Sequence, residues 1–265
     1  MYKILFTTYV FGDDIYYEDI PYYIYSVLET QPNAFVKIFT EKKVPKRVKE
    51  ALNILVNRNF KIVENFSLIN YKKEMPIIES QFKKTTRFLL PKEHFTGFDF
   101  AYIGDIDFLM YKEKEIIAES HLKHCDNIGL PFSNGIRPNG KQMTGLHFIK
   151  CKEYFEKMDK VINRAIETNL LYLIELPKIE NIRNEHILYE LIRIGLGFNG
   201  LEKEITDGNE LYYRPHHGIH LGVLRSKDFL PRSYMKVHYL EEKEFTEIHK
   251  IVKNHKVEKV IKHFT

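Results

Sequence analysis

Apolar runs alternate with amphipathic stretches from the amino terminus onward. Residues 2–10 (YKILFTTYV) form a nearly unbroken apolar run, the pattern of a strand buried on both faces. From Asp19 to Glu29 the apolar residues Ile20, Tyr23, Ile24, Val27 and Leu28 share one helical face, and Phe35–Thr40 (FVKIFT) predicts a second strand. Residues 45–56 repeat the helical spacing at Val48, Ala51, Leu52 and Leu55, and Phe60–Val63 is a further short strand. Such alternation predicts an α/β fold, with a mostly parallel sheet flanked by helices. Ser80–Leu90 predicts a helix closed by Pro91, followed by a strand within residues 98–111 (FDFAYIGDIDFLMY).

The second half is less regular. Residues 127–149 are rich in Gly, Pro and Asn and predict a long loop ahead of a strand at MTGLHFI. Residues 153–175 are helical in pattern, and Asn184–Ile194 is an amphipathic helix with Asn184 near its N-cap and Gly195 and Gly197 as stops. Residues 241–264 spread Lys and His over several helical faces, which predicts a solvated surface helix.

The 265 residues suit one large domain, and 44% hydrophobic with 29% charged residues fits a globular chain rather than a disordered one. A net charge of +4 is too diffuse to argue for nucleic acid, and an anionic substrate fits it equally well. No apolar run approaches the ~18 residues of a membrane span, and no leader pattern opens the chain, so a cytoplasmic location is expected. Peripheral contact with the inner membrane face is the variant of that expectation, should the acceptor be lipid-linked. Cys125 and Cys151 have no metal-type spacing and read as packing residues. The 17 Tyr and 19 Phe, beside no Trp, could serve the core or stack on sugars.

The sharpest chemical signal is the pair Asp105 and Asp107. Carboxylates at i and i+2 of an extended chain point to one side and repel unless a cation joins them. Oxygen-only ligation suits Mg²⁺ or Mn²⁺ completed by substrate phosphates. In open α/β sheets ligands lie beyond the carboxyl ends of the strands, which puts Thr7, Thr8 and Tyr9 beside a nucleotide. The preceding helix can aim Lys84 or Arg87 at the same place, a solvated helix charge being the bland alternative for Arg87. Long ordered loops tend to be functional, which makes Ser133, Asn134 and Arg137 acceptor-binding candidates. RPHHGIHLG at 214–222 offers His216, His217 and His220 as a third ligand. A separate zinc site from His216 and His220 does not have the HExxH form, because Gly218 stands between them.

In order, KKTTRFLLP, FDFAYIGDIDFLMY, MTGLHFI, NEHILYELI and HHGIHLG resemble the GT-A fold nucleotide-sugar glycosyltransferases, most nearly the family 8 type. The resemblance spans roughly residues 1–225, its specific part about 77–111. It implies a single GT-A domain, with a Rossmann-like nucleotide-sugar-binding half over about 1–111. An acceptor half over about 112–225 and a helical extension over 226–265 would complete it. It implies that Asp105 and Asp107 bind the metal and that Arg87 touches the donor. Thr144 and Gly145 would lie near the sugar, and Asn184 and Glu185 on its reacting side. Among the histidines, His217 is assigned to the metal and His220 to the donor, with His216 left as an alternative. The motifs depart from the family pattern in two places: MTG stands where N-S-G is usual, and the K-P-W ending is absent, leaving His220 and Arg225 there.

The implied activity is metal-dependent transfer of a hexose from a nucleoside diphosphate sugar, a UDP-sugar foremost, to a hydroxyl of a glycan or lipid-linked saccharide, with retention. The alternatives are an inverting transferase with Glu185 as base and a non-catalytic carbohydrate-binding protein on the same fold. A nucleotidyltransferase would open with a Gly-rich phosphate loop, whereas residues 7–14 (TTYVFGDD) hold one glycine.

Overall fold

A computed structural model describes residues 2–68, 76–112, 115–170, 182–207, 214–215, 217–222 and 237–264. The chain begins with β1 (Ile4–Val10), α1 (Asp14–Tyr17), α2 (Ile20–Thr30), β2 (Ala34–Thr40), α3 (Lys46–Leu52) and β3 (Phe60–Val63). It continues through α4 (Pro76–Thr85), β4 (Phe100–Ile103), β5 (Phe108–Leu109), α5 (Ile117–Ile128), β6 (Phe132–Ser133), β7 (Ile136–Arg137), β8 (Gln142–Met143) and β9 (His147–Lys150). The remaining elements are α6 (Cys151–Glu167), α7 (Asn184–Gly195), α8 (Leu201–Thr206), β10 (Ile219–His220), α9 (Lys243–Val252) and α10 (His255–Phe264).

The architecture is mixed α/β, with a six-stranded sheet of order β3-β2-β1-β4-β9-β6. β2 pairs with β3 and β1 with β4 in parallel, while β9 runs antiparallel to both β4 and β6. All seven β1 residues are buried, Thr7 and Thr8 included, as the nearly unbroken apolar run predicts of a strand covered on both faces. Among the described residues no helix is long and apolar enough to cross a membrane.

Contacts divide the chain into two units. The first comprises Met1–Thr7, Ser67–Gly104 and Ala118–Pro215. Its α6 buries Cys151, Tyr154, Met158, Ile162 and Ala165, a three- and four-residue spacing that makes one apolar stripe. α6 packs on α7, where a Cβ on Gly195 would come within 2.3 Å of Met158 Sδ, so the close approach requires glycine. The expected long loop over 127–149 is instead a run of two-residue strands. β7 pairs antiparallel with β8 around a 3-10 turn at Pro138–Gly140, with Lys141 left-handed at φ 47°. The expected strand at MTGLHFI is accordingly split, Met143 ending β8 and His147 opening β9. The N-cap of α7 is Arg183, whose backbone N–H donates to His186 Nδ1 at 2.9 Å, and Asn184 is the first helical residue.

The second unit comprises Thr8–Phe66, Asp105–Ile117 and His216–Thr265. Its core is aromatic: Tyr25 meets Tyr239 and Phe245 at ring distances of 5.6 Å, and Tyr22 meets Phe245 at 5.6 Å. These rings serve packing, which accounts for much of the Tyr and Phe content. The surface helix expected over 241–264 is two helices that bury Phe245, Ile248, Val252, Val257 and Val260. Lys253 turns left-handed (φ 53°) to end α9. Asn254 Oδ1 then accepts from the N–H groups of Lys256 (2.9 Å) and Val257 (3.4 Å), which caps the start of α10. Lys256 is itself buried, its Nζ 2.5 Å from Asp19 Oδ2, while Asn254 Nδ2 donates to Asp19 Oδ1 at 2.8 Å.

Candidate active site

In the second unit, Asp105 and Asp107 lie in the bend between β4 and β5, not on an extended strand, so strand alternation does not set their direction. Ile106 between them is buried, Asp105 is half-buried and Asp107 is 8% exposed. Antiparallel pairing of β5 with β10 sets His220 opposite Phe108, and the Leu221 N–H donates to the Asp107 carbonyl at 2.8 Å. His220 Nε2 thereby comes to 3.4 Å from Asp107 Oδ1. Gly222 faces this pair closely. A Cβ there would stand 2.7 Å from Asp107 Oδ2 and 2.6 Å from His220 Cε1.

This geometry fits a shared cation. Ligand bonds of about 2.1 Å at right angles separate adjacent donors by about 3 Å, close to the spacing observed, and a carboxylate with an imidazole suits Mn²⁺. Asp105, His217 and His220 do not complete a ready group with Asp107: among the described residues no three His, Cys, Asp or Glu side chains are arranged to hold a metal. His217 is buried at 6% exposure, and His216 and Arg225 lie outside the described residues. Thr8 is fully buried, and Tyr9 is buried with its hydroxyl donating to the Phe66 carbonyl at 3.3 Å.

In the first unit, Arg87 is 6% exposed and its guanidinium lies 4.7 Å from the Phe88 ring, so it is not a solvated helix charge. Lys84, one turn earlier, is exposed. With its amide oriented to satisfy both neighbours, Asn184 accepts from Arg87 Nη2 at 3.2 Å and donates to Glu185 Oε2 at 2.8 Å. The Asn184 N–H at the start of α7 is taken by Gln81 Oε1 at 3.2 Å. The structure therefore links Arg87, Asn184 and the half-exposed Glu185 in one chain of polar contacts. Thr7 is buried, its carbonyl accepting from the Gly104 N–H at 3.1 Å.

Ser133 and Asn134 are both fully buried and hold the scaffold, while Arg137 is exposed. Ser133 Oγ sits 2.7 Å from His121 Nδ1 and 2.8 Å from His124 Nδ1. One hydroxyl has one proton and two lone pairs, so at most one of these imidazoles accepts from it and at least one donates. Asn134 holds Thr144, beside the half-exposed Gly145. This polar belt escaped the sequence reading, although His121 and His124 at i, i+3 on one helix were a usable signal.

No protein-family model matches the sequence, and no curated protein matches it. Solved structures do. The galactosyltransferase LgtC, in complex with donor and acceptor sugar analogues, is 10% identical, with 71% of this chain and 70% of that one covered and a TM-score of 0.45. The apo-form glycosyltransferase GlyE from Streptococcus pneumoniae TIGR4 is 14% identical over 98% of this chain and 64% of its own, with a TM-score of 0.45. The bifunctional glycosyltransferase WbbM is 10% identical, covered to 37% of its length by 72% of this chain, with a TM-score of 0.42.

At these identities and TM-scores the likeness assigns no chemistry, which rests on this chain's own side chains.

Proposed function

We propose that this protein is a metal-dependent glycosyltransferase. It moves a hexose from a nucleoside diphosphate sugar, specifically a UDP-sugar, to a hydroxyl of a glycan or lipid-linked saccharide, with retention. The observation that carries this reading is the approach of His220 to Asp107 at 3.4 Å beside Gly222, in a chain whose motif order resembles the family 8 enzymes. Asp107 and His220 would hold Mn²⁺ or Mg²⁺ with Asp105, His220 taking the metal role that the resemblance gives to His217. The bound cation would supply positive charge for the departing diphosphate. Arg87 adds a fixed charge to bind the donor, and Lys84 offers a second from the exposed side of its helix. Thr7, Thr8 and Tyr9 shape the nucleotide end through the backbone, since their side chains are buried. Arg137, exposed on β7, is the residue of the 133–137 segment best able to meet an acceptor.

A unit charge about 4 Å from the developing negative charge is worth ~4 kcal/mol at an effective dielectric of about 20. That corresponds to roughly three decades in rate. Asp107→Asn is therefore expected to lower Mn²⁺-dependent turnover of a UDP-sugar by about 10³-fold, read by release of UDP. A variant with near-normal metal-dependent turnover contradicts the proposal.

The contact of Asn184 with Glu185 supports a second reading, in which an oriented carboxylate deprotonates the acceptor and the reaction inverts. The anomeric configuration of the product, read by NMR, separates the two: retention for front-face attack, inversion for base catalysis.

A further inference from the structure

The first turn of α7 is capped by an unusual residue. Three positions into a helix, a Glu or Gln side chain often reaches back to the backbone N–H that opens it. His186 holds that position here, and its Nδ1 takes the Arg183 N–H at 2.9 Å. A backbone N–H can only donate, so Nδ1 presents a lone pair and carries no proton. A neutral imidazole has one ring proton, which is therefore on Nε2. Nε2 lies 2.6 Å from the side-chain amide of Gln142 on β8, and an N–H there needs an acceptor. With the amide oriented to satisfy it, the Gln142 atom in contact is Oε1. The buried His186 thus bridges β8 and the first turn of α7, and one backbone N–H sets the direction of both bonds.

A second proton acts differently on the two ends of this bridge. Both nitrogens of an imidazolium donate. The bond from Nε2 to Gln142 survives, whereas Nδ1–H and the Arg183 N–H become two donors face to face. Burial holds His186 below the ordinary 6.5, with Glu185 drawing it up and Arg183 pressing it down. Of the elements packed on α7, β8 brings the uncharged Gln142 and Met143, with the exposed Lys141 just before it. α4 carries Lys83 and Lys84 in its last turn and meets the start of α7 through Gln81, while α6 crosses the far end at Gly195. The turn that His186 caps also bears Asn184, whose side chain joins Arg87 to Glu185.

We infer that His186 is a proton-operated latch: neutral, it fastens the first turn of α7 to β8, and protonated, it keeps Gln142 and releases the turn, and with it the chain from Arg87 through Asn184 to Glu185. The latch operates whatever the site binds. A proton that the closed form refuses is bound once it opens, so the closed form is fully favoured above about pH 6.5 and gives way as pH falls below it.

The test is amide exchange of the full wild-type chain, read residue by residue by NMR from pH 8 to pH 4, each rate divided by that of an unstructured chain at the same pH. Protection of the Arg183 and Asn184 N–H groups is expected to fall about fivefold, the size of a lost helix cap, in one step below pH 6.5, while Leu188 to Ile192 stay protected. Imidazole ¹⁵N shifts at neutral pH should place the proton of His186 on Nε2 and none on Nδ1. His186→Gln sets a non-titrating acceptor in the same position and should keep the protection at neutral pH while removing the step. Gln142→Glu gives the imidazolium a carboxylate partner and should move the step to higher pH. Protection that does not change with pH overturns the inference, as does a step that persists in His186→Gln or a proton found on Nδ1 at neutral pH. The ¹⁵N reading uses the wild type alone and decides the matter should either variant fail to fold.

Discussion

Burial decides the protonation of single residues here, and it acts in opposite senses at two of them. It lowers His147 from 6.5 to about 3. The unfolded chain therefore binds a proton between those values that the folded chain refuses, and the histidine's contribution, fully present above about 6.5, is lost as pH falls toward 3. At Asp19 burial, partly offset by Lys256 and Asn254, raises the carboxyl from 3.8 to about 7, with the neighbouring charge of Asp107 adding to the rise. That contribution has the opposite sign, being full below about 3.8 and lost as pH rises through 7. The two windows overlap, so the total stability curve hides both. Subtracting the curve of a His147→Gln variant from that of the wild type removes the Asp19 share. The difference is expected to turn against the wild type below about pH 6.5, by at most ~1.4 kcal/mol per pH unit. Parallel denaturation curves over pH 4 to 7 would contradict a neutral buried His147.

At the level of elements, the carboxyl-terminal helices are fastened by chemistry rather than by apolar packing alone. Lys256 on α10 is 1% exposed and joins Asp19, which directly precedes α2. At pH 8, above the Asp19 titration, Lys256→Met leaves a buried carboxylate without its cation and is expected to cost about 3–5 kcal/mol. Asp19→Asn combined with Lys256→Met should recover most of that loss, measured by urea denaturation; a double variant as unstable as the single one contradicts the pairing. The same pair shows what the sequence could and could not convey. β1 was legible because seven consecutive buried positions, two of them threonines, leave a nearly continuous apolar signature. Asp107 and His220 were legible as residue types, but their approach depends on β5 and β10, strands of two residues that make no periodic pattern. Two-residue strands likewise made 132–143 look like a loop. Lys256 and Asp19 stand 237 positions apart, and nothing in the local charge pattern of a Lys- and His-rich helix singles out the one lysine that turns inward.

For the whole molecule, the central claim is that Asp107 and His220 bind a divalent cation and that the cation binds a nucleoside diphosphate. Ser26 Oγ accepts from the Met110 N–H at 3.1 Å and the Tyr239 hydroxyl donates to the Met110 carbonyl at 2.5 Å, so the segment bearing Asp107 is held firmly by the aromatic core of its unit. A segment held this way needs no folding step before a cation binds, only the arrival of a third ligand beside Asp107 and His220, and nucleotide affinity should then depend directly on the cation. Calorimetric titration of UDP, GDP, CMP and ADP, with and without Mn²⁺, tests this most directly. The account predicts Mn²⁺-dependent binding of UDP that Asp107→Asn abolishes, whereas binding of no nucleotide, or binding indifferent to both the cation and Asp107, would contradict it.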